Sequence, residues 1–250
     1  MTSEFGEKRP DIGEQISPVP LYRDLLLRAT LRDPNRAIGN DVTAVDFSGP
    51  FAETADKLNL LTQSDLEKRE HGTVVYVIPS GKVLIRNEIT QGDETFVSIY
   101  TEVKPNVARF FLPKAHKQDR FVGALIHSHP FDAPPSPLDL SNLLSSNKNA
   151  LAHTSAFIVT PVRKILVFRG AQTPQFSQKE VEAKMNLWKK QIDERVARLR
   201  TPAMSDLEVL DMEARAQQTM VRQIIKKYGL RYFVCPVGQT IARLAPQGEL

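Results

Sequence analysis

The sequence predicts an α/β protein in which helices flank a mixed, largely antiparallel sheet. Short runs rich in β-branched and aromatic residues alternate with turn sequences over residues 73–103, which is typical of an antiparallel meander. A further apolar strand is predicted at 121–129, and a hairpin at 155–169. Helical periodicity precedes and follows these strands, so the arrangement favours an α/β sandwich.

Start and stop signals place helices on both sides of the strands. A proline closes the first helix, and Ser-X-X-Glu sequences open the last two with a capping box. A glycine after the final helix is a suitable C-cap. The predicted helices are 20–34, 48–61, 137–146, 177–200 and 205–228, and the last strands are 230–235 and 240–245.

These elements divide the chain into three parts. Residues 1–19 are polar, and we predict that they lack a fixed structure. Residues 20–170 hold most of the strands and form one domain. Residues 171–250 form a helical hairpin with short strands. The apolar stripes of this hairpin are too continuous to be left in water, so we expect it to pack on the core, on itself or on a second copy in a homo-oligomer.

The composition excludes several classes of protein. Of the 250 residues 41% are apolar and 25% are charged, as in ordinary soluble globular proteins. The single cysteine, Cys235, excludes an intramolecular disulfide and a multi-cysteine zinc site, and its apolar surroundings indicate a buried thiol. The net charge of +4 is scattered, which disfavours a nucleic-acid partner.

The N-terminal sequence predicts a cytoplasmic protein. No apolar segment follows a basic start, as a Sec-type signal requires, and no run reaches transmembrane length. We therefore expect no membrane partner. Export by a dedicated secretion system, which does not read such a signal, is left open.

Two of the five histidines stand one residue apart in "GALIHSHPFDAPPSPLDLSNLL", residues 123–144. In an extended strand, residues i and i+2 point to the same side, so His127 and His129 present their imidazoles together. Asp139 follows in the first turn of the next predicted helix. Two imidazoles and a carboxylate with an open fourth position are typical of a catalytic Zn²⁺ site.

A structural alternative explains half of this pattern without a metal. Ser136, Pro137 and Asp139 fit the N-cap, N1 and N3 positions of a helix, where they stabilise its first turn. Such a cap does not need a His-X-His sequence just upstream. The two features together therefore favour a metal site.

The segment "HSHPFDAPPSPLD" resembles the His-X-His-Pro…Ser-X-X-Asp signature of the JAMM (MPN-domain) metallopeptidases. Nine residues separate His129 from Asp139, where the common pattern has ten. Upstream, "KREHGTVVYVIPSGKVLI" at 68–85 resembles the Arg-Glu-aromatic-Gly opening of bacterial JAB-like domains, which makes Glu70 the family's glutamate. The resemblance covers about residues 50–170 and implies an MPN-like, cytidine-deaminase-like sandwich.

The resemblance implies a zinc-dependent peptidase or isopeptidase. His127, His129 and Asp139 would hold Zn²⁺, which activates a water. Glu70 would act as the general base, and Ser136 would donate a hydrogen bond to the developing oxyanion. The substrate would be a protein or peptide. Because family members often cleave ubiquitin-like modifiers from lysine, the resemblance suggests a ubiquitin-like conjugate and a deubiquitinase-like activity.

Other residues of the same types have simpler interpretations. The remaining carboxylates of the meander that could replace the upstream glutamate are Glu88, Glu94 and Glu102, which we interpret as solvated strand-end charges. The remaining histidines are His71, His116 and His153, which we interpret as ordinary polar residues.

Two other functions fit the same fold. A non-catalytic MPN-like scaffold would bind partners through its sheet and terminal helices, but such scaffolds usually lack the ligand set that is present here. A RadC-like, DNA-associated protein carries a similar motif. The absence of a basic cluster in this sequence weighs against the second alternative.

Overall fold

The computed structural model describes residues 19–92, 121–146 and 153–246. In these ranges the chain forms five helices and nine strands. The helices are α1 (Tyr22–Arg32), α2 (Pro50–Ser64), α3 (Pro137–Leu144), α4 (Gln178–Leu199) and α5 (Asp206–Tyr228). The strands are β1 (Ala44–Asp46), β2 (His71–Ile78), β3 (Lys82–Ile85), β4 (Thr90–Gln91), β5 (Phe121–Ser128), β6 (Ser155–Val159), β7 (Arg163–Phe168), β8 (Arg231–Pro236) and β9 (Ile241–Leu244). The predicted strand at 95–103 and the segment 1–18 lie outside the described residues.

The nine strands belong to one sheet. Its order is β1-β9-β8-β7-β6-β5-β2-β3, and β4 pairs with β2 off this path. β5 and β6 run parallel, and the other pairs of these strands are antiparallel. The predicted fold class, a mixed and largely antiparallel sheet flanked by helices, is confirmed at this level.

Helices cover both faces of the sheet. Along β6, Phe157 and Val159 belong to one buried cluster, whereas Ala156 and Ile158 belong to another. Because alternate residues of a strand point to opposite faces, the two clusters lie on opposite sides of the sheet. Side chains of α1 and α2 complete the first cluster, and side chains of α3, α4 and α5 complete the second.

The C-terminal helices pack on the sheet and on each other. Trp188 of α4 and Tyr228 of α5 lie in the second cluster, with ring centroids 6.1 Å apart. Ser177 and Ser205 open the two helices with the predicted capping boxes, and Gly229 ends α5 with a φ of 63°. None of the helices in the described ranges has the length and apolar character needed to cross a bilayer.

The register of β5 determines what surrounds its last residues. His127 pairs with Gly72 at the beginning of β2 and with Ile158 near the end of β6. The C-terminal end of β5 therefore lies between the start of β2 and the end of β6. The segments that precede β2 and follow β5 meet at this end of the sheet.

Candidate metal centre

His127 and His129 meet at the C-terminal end of β5. Both side chains are buried, and their Nε2 atoms are 3.0 Å apart. The N–H of His129 donates to the carbonyl of Val159 (2.8 Å), which fixes the second histidine against the end of β6. Two imidazole nitrogens at this distance need a proton or a cation between them, because their lone pairs otherwise repel each other.

Asp139 reaches the histidines from the first turn of α3. Its Oδ1 lies 3.1 Å from Nε2 of His127, and its Oδ2 lies 3.8 Å from Nε2 of His129. The same Oδ2 accepts the N–H of Ser136 at 2.6 Å and so forms half of a capping box. The helix cap and the approach to the histidines are therefore made by one carboxylate, and the two interpretations of this motif do not exclude each other.

Glu70 approaches from the residue that precedes β2. It is buried, and its Oε1 lies 3.8 Å from Nε2 of His129. Its carbonyl accepts the N–H of Gly92 at 2.8 Å, next to the short strand β4. Gly72, two residues after Glu70, pairs with His127, so the pairing of β2 with β5 carries Glu70 to the histidine pair.

Glu88 has different surroundings from Glu70. Its side chain is 57% exposed and forms an ion pair with Arg86. Glu94 and Glu102 lie outside the described residues. Of the two candidate carboxylates within the described residues, Glu70 and Glu88, the structure brings Glu70 to the histidines.

The grouped ligand atoms fit a metal ion. Glu70, His127 and His129 each offer one ligand atom, and these atoms all lie within 4.8 Å of one another. The ligand atoms of a tetrahedral Zn²⁺ are about 3.3 Å apart, since each lies about 2 Å from the ion. The separations of 3.0 to 3.8 Å among the imidazoles and carboxylates are close to that value. This buried group can hold a metal ion.

Burial and mutual proximity set the charges at this site. Burial lowers the pKa of His129 to about 4, and the neighbouring His127 adds to the effect. Burial alone would raise the pKa of Asp139, but the two histidines and the N–H of Ser136 hold it well below its usual range. Burial likewise opposes protonation of His127, yet Asp139 and Glu70 raise its pKa. Near neutral pH Asp139 is ionised and His129 is neutral, and a metal ion would compete with protons for His127.

Ser136 begins α3 beside the site. Its Oγ accepts the N–H of Asp139 at 3.2 Å, and the residue is partly exposed. Its own O–H has no acceptor in the part of the chain that the structure describes, so it is available as a donor. The role of Ser136 as an oxyanion donor stays a prediction.

The remaining histidines and the cysteine have other environments. Nδ1 of His71 lies 3.1 Å from Oγ1 of Thr62. His153 is buried just before β6, and burial lowers its pKa to about 3. His116 lies outside the described residues. Cys235 is buried as predicted, and burial raises the pKa of its thiol to about 11, which is typical of a structural cysteine.

Sequence reasoning missed two hydroxyl residues behind the site. Ser128 stands between the two histidines, and Thr62 lies on α2; both are fully buried and contact each other through their hydroxyls. The sequence did indicate the orientation of Ser128, because the middle residue of a His-X-His strand must face the opposite side of the sheet. A serine there needs a buried partner, but the sequence does not say which residue supplies it.

The sequence matches no protein-family model, and comparison with curated proteins and with solved structures gives no match. The class of protein is therefore defined by the fold and the site alone. It is a mixed α/β protein with a buried group of two imidazoles and one carboxylate, from His127, His129 and Glu70, that can hold a metal ion.

Proposed function

We propose that this chain is a zinc-dependent peptidase or isopeptidase of the JAMM type, with an MPN-like fold. One observation carries the proposal: two buried imidazoles and two carboxylates converge from three separate segments of the chain. A helix cap accounts for one of these carboxylates but not for the other, nor for the histidines. Burial of so many ionisable groups is costly unless they bind a shared partner.

His127, His129 and Asp139 would hold the ion. Asp139 is the stronger candidate for the third ligand because its Oδ1 is 3.1 Å from an imidazole Nε2, whereas the nearest such distance for Glu70 is 3.8 Å. The N–H of Ser136 holds the carboxylate in place and leaves Oδ1 directed at His127. A bound Zn²⁺ supplies a Lewis acid that polarises a carbonyl and lowers the pKa of a water to near 7.

Glu70 then serves as the general base. Its carboxylate lies beside the proposed ligands without being the nearest of them, so it can accept a proton from a water at the open position. It returns that proton to the leaving amine as the peptide or isopeptide C–N bond breaks. Ser136, whose hydroxyl faces no acceptor within the described ranges, donates to the carbonyl oxygen as negative charge develops there.

A polypeptide substrate is favoured by the side chains that follow and precede the ligands in sequence. Phe131, two residues after His129, is 64% exposed, and Leu138, next to Asp139, is 37% exposed. Exposed apolar side chains near a site are typical of surfaces that bind other proteins. The resemblance to the JAMM family suggests a more specific substrate, a ubiquitin-like conjugate that is cleaved at a lysine Nε.

A panel of substrates tests the proposed chemistry. Zinc-loaded protein is incubated with quenched fluorescent peptides and with branched peptides joined through a lysine Nε. We expect hydrolysis that a chelator abolishes and added zinc restores, and the preferred panel distinguishes a peptidase from an isopeptidase. Zinc-loaded protein that cleaves neither panel would instead support the non-catalytic scaffold.

A further inference from the structure

Two buried hydroxyls join three elements behind the histidine pair. Ser128 belongs to β5 and Thr62 to the last turn of α2, and both are 0% exposed. Because Ser128 stands between two histidines that face the site, its side chain points to the opposite face of the sheet. There its Oγ is hydrogen-bonded to Oγ1 of Thr62.

Both hydroxyls also bind His71, the residue that follows Glu70. Oγ of Ser128 accepts the N–H of His71 and donates to its carbonyl, each at 3.2 Å. Nδ1 of His71 lies 3.1 Å from Oγ1 of Thr62. We call these three residues, Thr62, His71 and Ser128, the hydroxyl bracket.

One arrangement lets both hydroxyls of the bracket donate and accept. The O–H of Thr62 donates to Ser128, and the O–H of Ser128 donates to the carbonyl of His71. Nδ1–H of His71 is shared between Oγ1 of Thr62 and the carbonyl of Arg69, each at 3.1 Å. Each of the two buried hydroxyls then both donates and accepts, so removing one of them leaves the other incompletely paired. That loss is costly in a site closed to water.

The bracket lies where the pairing of β2 with β5 ends, although on its other edge β2 still pairs with β4 through His71 and Gln91. The pairing between β2 and β5 begins at Gly72 and His127, so Glu70 lies beyond the last cross-strand pair on that side. On the β5 side, the hydroxyl of Ser128 bonds the backbone of His71 where the backbone pairing with β5 has ended. It thereby connects the residue next to Glu70 with the strand that carries both histidines.

A nucleophilic role for Thr62 is excluded by burial. A hydroxyl, an imidazole and a carboxylate do occur together, since Nε2 of His71 lies 3.8 Å from Oδ2 of Asp65. Such a group acts on a substrate only if the hydroxyl can be reached. Thr62 is fully buried where α2 packs on the sheet, so its contacts with Ser128 and His71 serve the structure around Glu70.

We propose that Thr62 and Ser128 are positioning residues that hold Glu70 at the histidine pair. This inference rests on the function proposed for Glu70. A fixed carboxylate beside the ligands attracts a dication, and the attraction falls when the carboxylate moves away. Thr62→Val, which keeps the shape and removes the hydroxyl, should therefore weaken zinc binding about tenfold, as loss of outer partners usually does.

The zinc dissociation constant is measured by competition with a chromophoric chelator. Thr62→Ser keeps the hydroxyl and should bind zinc within about twofold of the wild type. Thr30→Val is the matched control, because Thr30 is also buried and bonds Thr154 through its hydroxyl at 2.8 Å, away from the site. In a Glu70→Gln background, Thr62→Val should have no further effect, since it acts through the charge of Glu70.

Hydrogen exchange of the metal-free protein provides a readout that needs no zinc. In Thr62→Val the amides of residues 70–72 should exchange at least about tenfold faster, while Thr30→Val leaves them unchanged. Wild-type protein that binds no zinc would refute the proposed function. The exchange data would still show whether the hydroxyl bracket holds residues 70–72 in place. The inference would be overturned if Thr62→Val and wild type had equal zinc affinities and equal amide exchange rates. It would also be overturned if the losses of zinc affinity caused by Thr62→Val and Glu70→Gln were additive in the double variant.

Discussion

Oδ1 of Asp139 lies 3.1 Å from Nε2 of His127, while Oδ2 of the same carboxylate accepts the N–H of Ser136. One side chain thus begins a helix and faces a histidine pair at the end of a strand. The hydrogen bond at the helix start fixes the carboxylate. The ionised carboxylate in turn stabilises a proton or a cation bound between the histidines. In the proposed zinc site this double role positions the third ligand before any ion binds.

Replacing Asp139 with Asn should separate the two roles. The amide oxygen of Asn can still accept the N–H of Ser136, so α3 should form, but the charge that favours a cation is lost. We expect zinc affinity to fall about tenfold or more. Glu180→Gln is the matched control, because Glu180 occupies the same capping-box position in α4. Chelator competition gives both affinities, and equal values for the two variants would remove Asp139 from the ligand set.

Acid should destabilise the metal-free protein through His129. The pKa of His129 falls from 6.5 to about 4 in the folded state, so between these values the unfolded chain binds a proton that the folded chain does not. Stability is therefore complete above the unfolded pKa and falls as the pH drops toward 4, by up to about 1.4 kcal/mol per pH unit. His153, with a pKa of about 3, acts in the same direction.

Urea unfolding in a chelator at several pH values measures this effect. His129→Asn should show a shallower loss of stability between pH 6.5 and pH 4, because one of the two buried histidines with a lowered pKa is gone. Zinc should be released over the same window, since protons compete for the imidazoles. A wild-type stability that is constant over the window would show that His129 is not buried in its neutral form.

Glu70→Gln should retain the fold and, with excess metal, one zinc per chain, but hydrolyse slowly. The amide cannot accept the proton of the attacking water, so we expect a loss of at least about a hundredfold in rate. Glu88→Gln is the matched control, because Glu88 is an exposed carboxylate paired with Arg86. Steady-state kinetics on the peptide panels measures both. If Glu70→Gln turned over normally and Glu88→Gln were inactive, Glu88 would be the general base instead of Glu70.

Ser136→Ala should affect both stability and rate. Loss of the cap costs about 1 kcal/mol of unfolding free energy. Loss of the proposed oxyanion donor should slow hydrolysis by about a hundredfold. Ser177→Ala removes the corresponding cap of α4 and should lower stability alone. If the two alanine variants hydrolyse at the same rate, Ser136 is a cap and nothing more.

Local patterns were sufficient to predict the parts of the site that lie close in sequence. The alternation of side chains along a strand brings His127 and His129 together, and the Ser-Pro-X-Asp cap places Asp139 in the first turn of α3. Nine residues separate His129 from Asp139, and the structure brings Asp139 to the histidine pair even though the JAMM pattern has ten.

Long-range pairing explains why the remainder was harder to predict. Glu70 reaches the site only because β2 pairs with β5 in the register that opposes Gly72 to His127, and a strand's sequence does not specify its partner. The contact between Thr62 and Ser128 spans 66 residues and requires α2 to lie across that same sheet end. The position of Glu70 and the contact between Thr62 and Ser128 both depend on tertiary packing. The resemblance to the JAMM family predicts the first and says nothing about the second.

The zinc content of the purified protein tests the central claim most directly. Wild-type protein supplied with zinc and freed of loosely bound metal should retain roughly one zinc per chain by elemental analysis, as expected for three protein ligands. His127→Ala should retain none, while Glu88→Gln should match the wild type. Wild-type protein that stays free of zinc when supplied with it would contradict the metallopeptidase assignment.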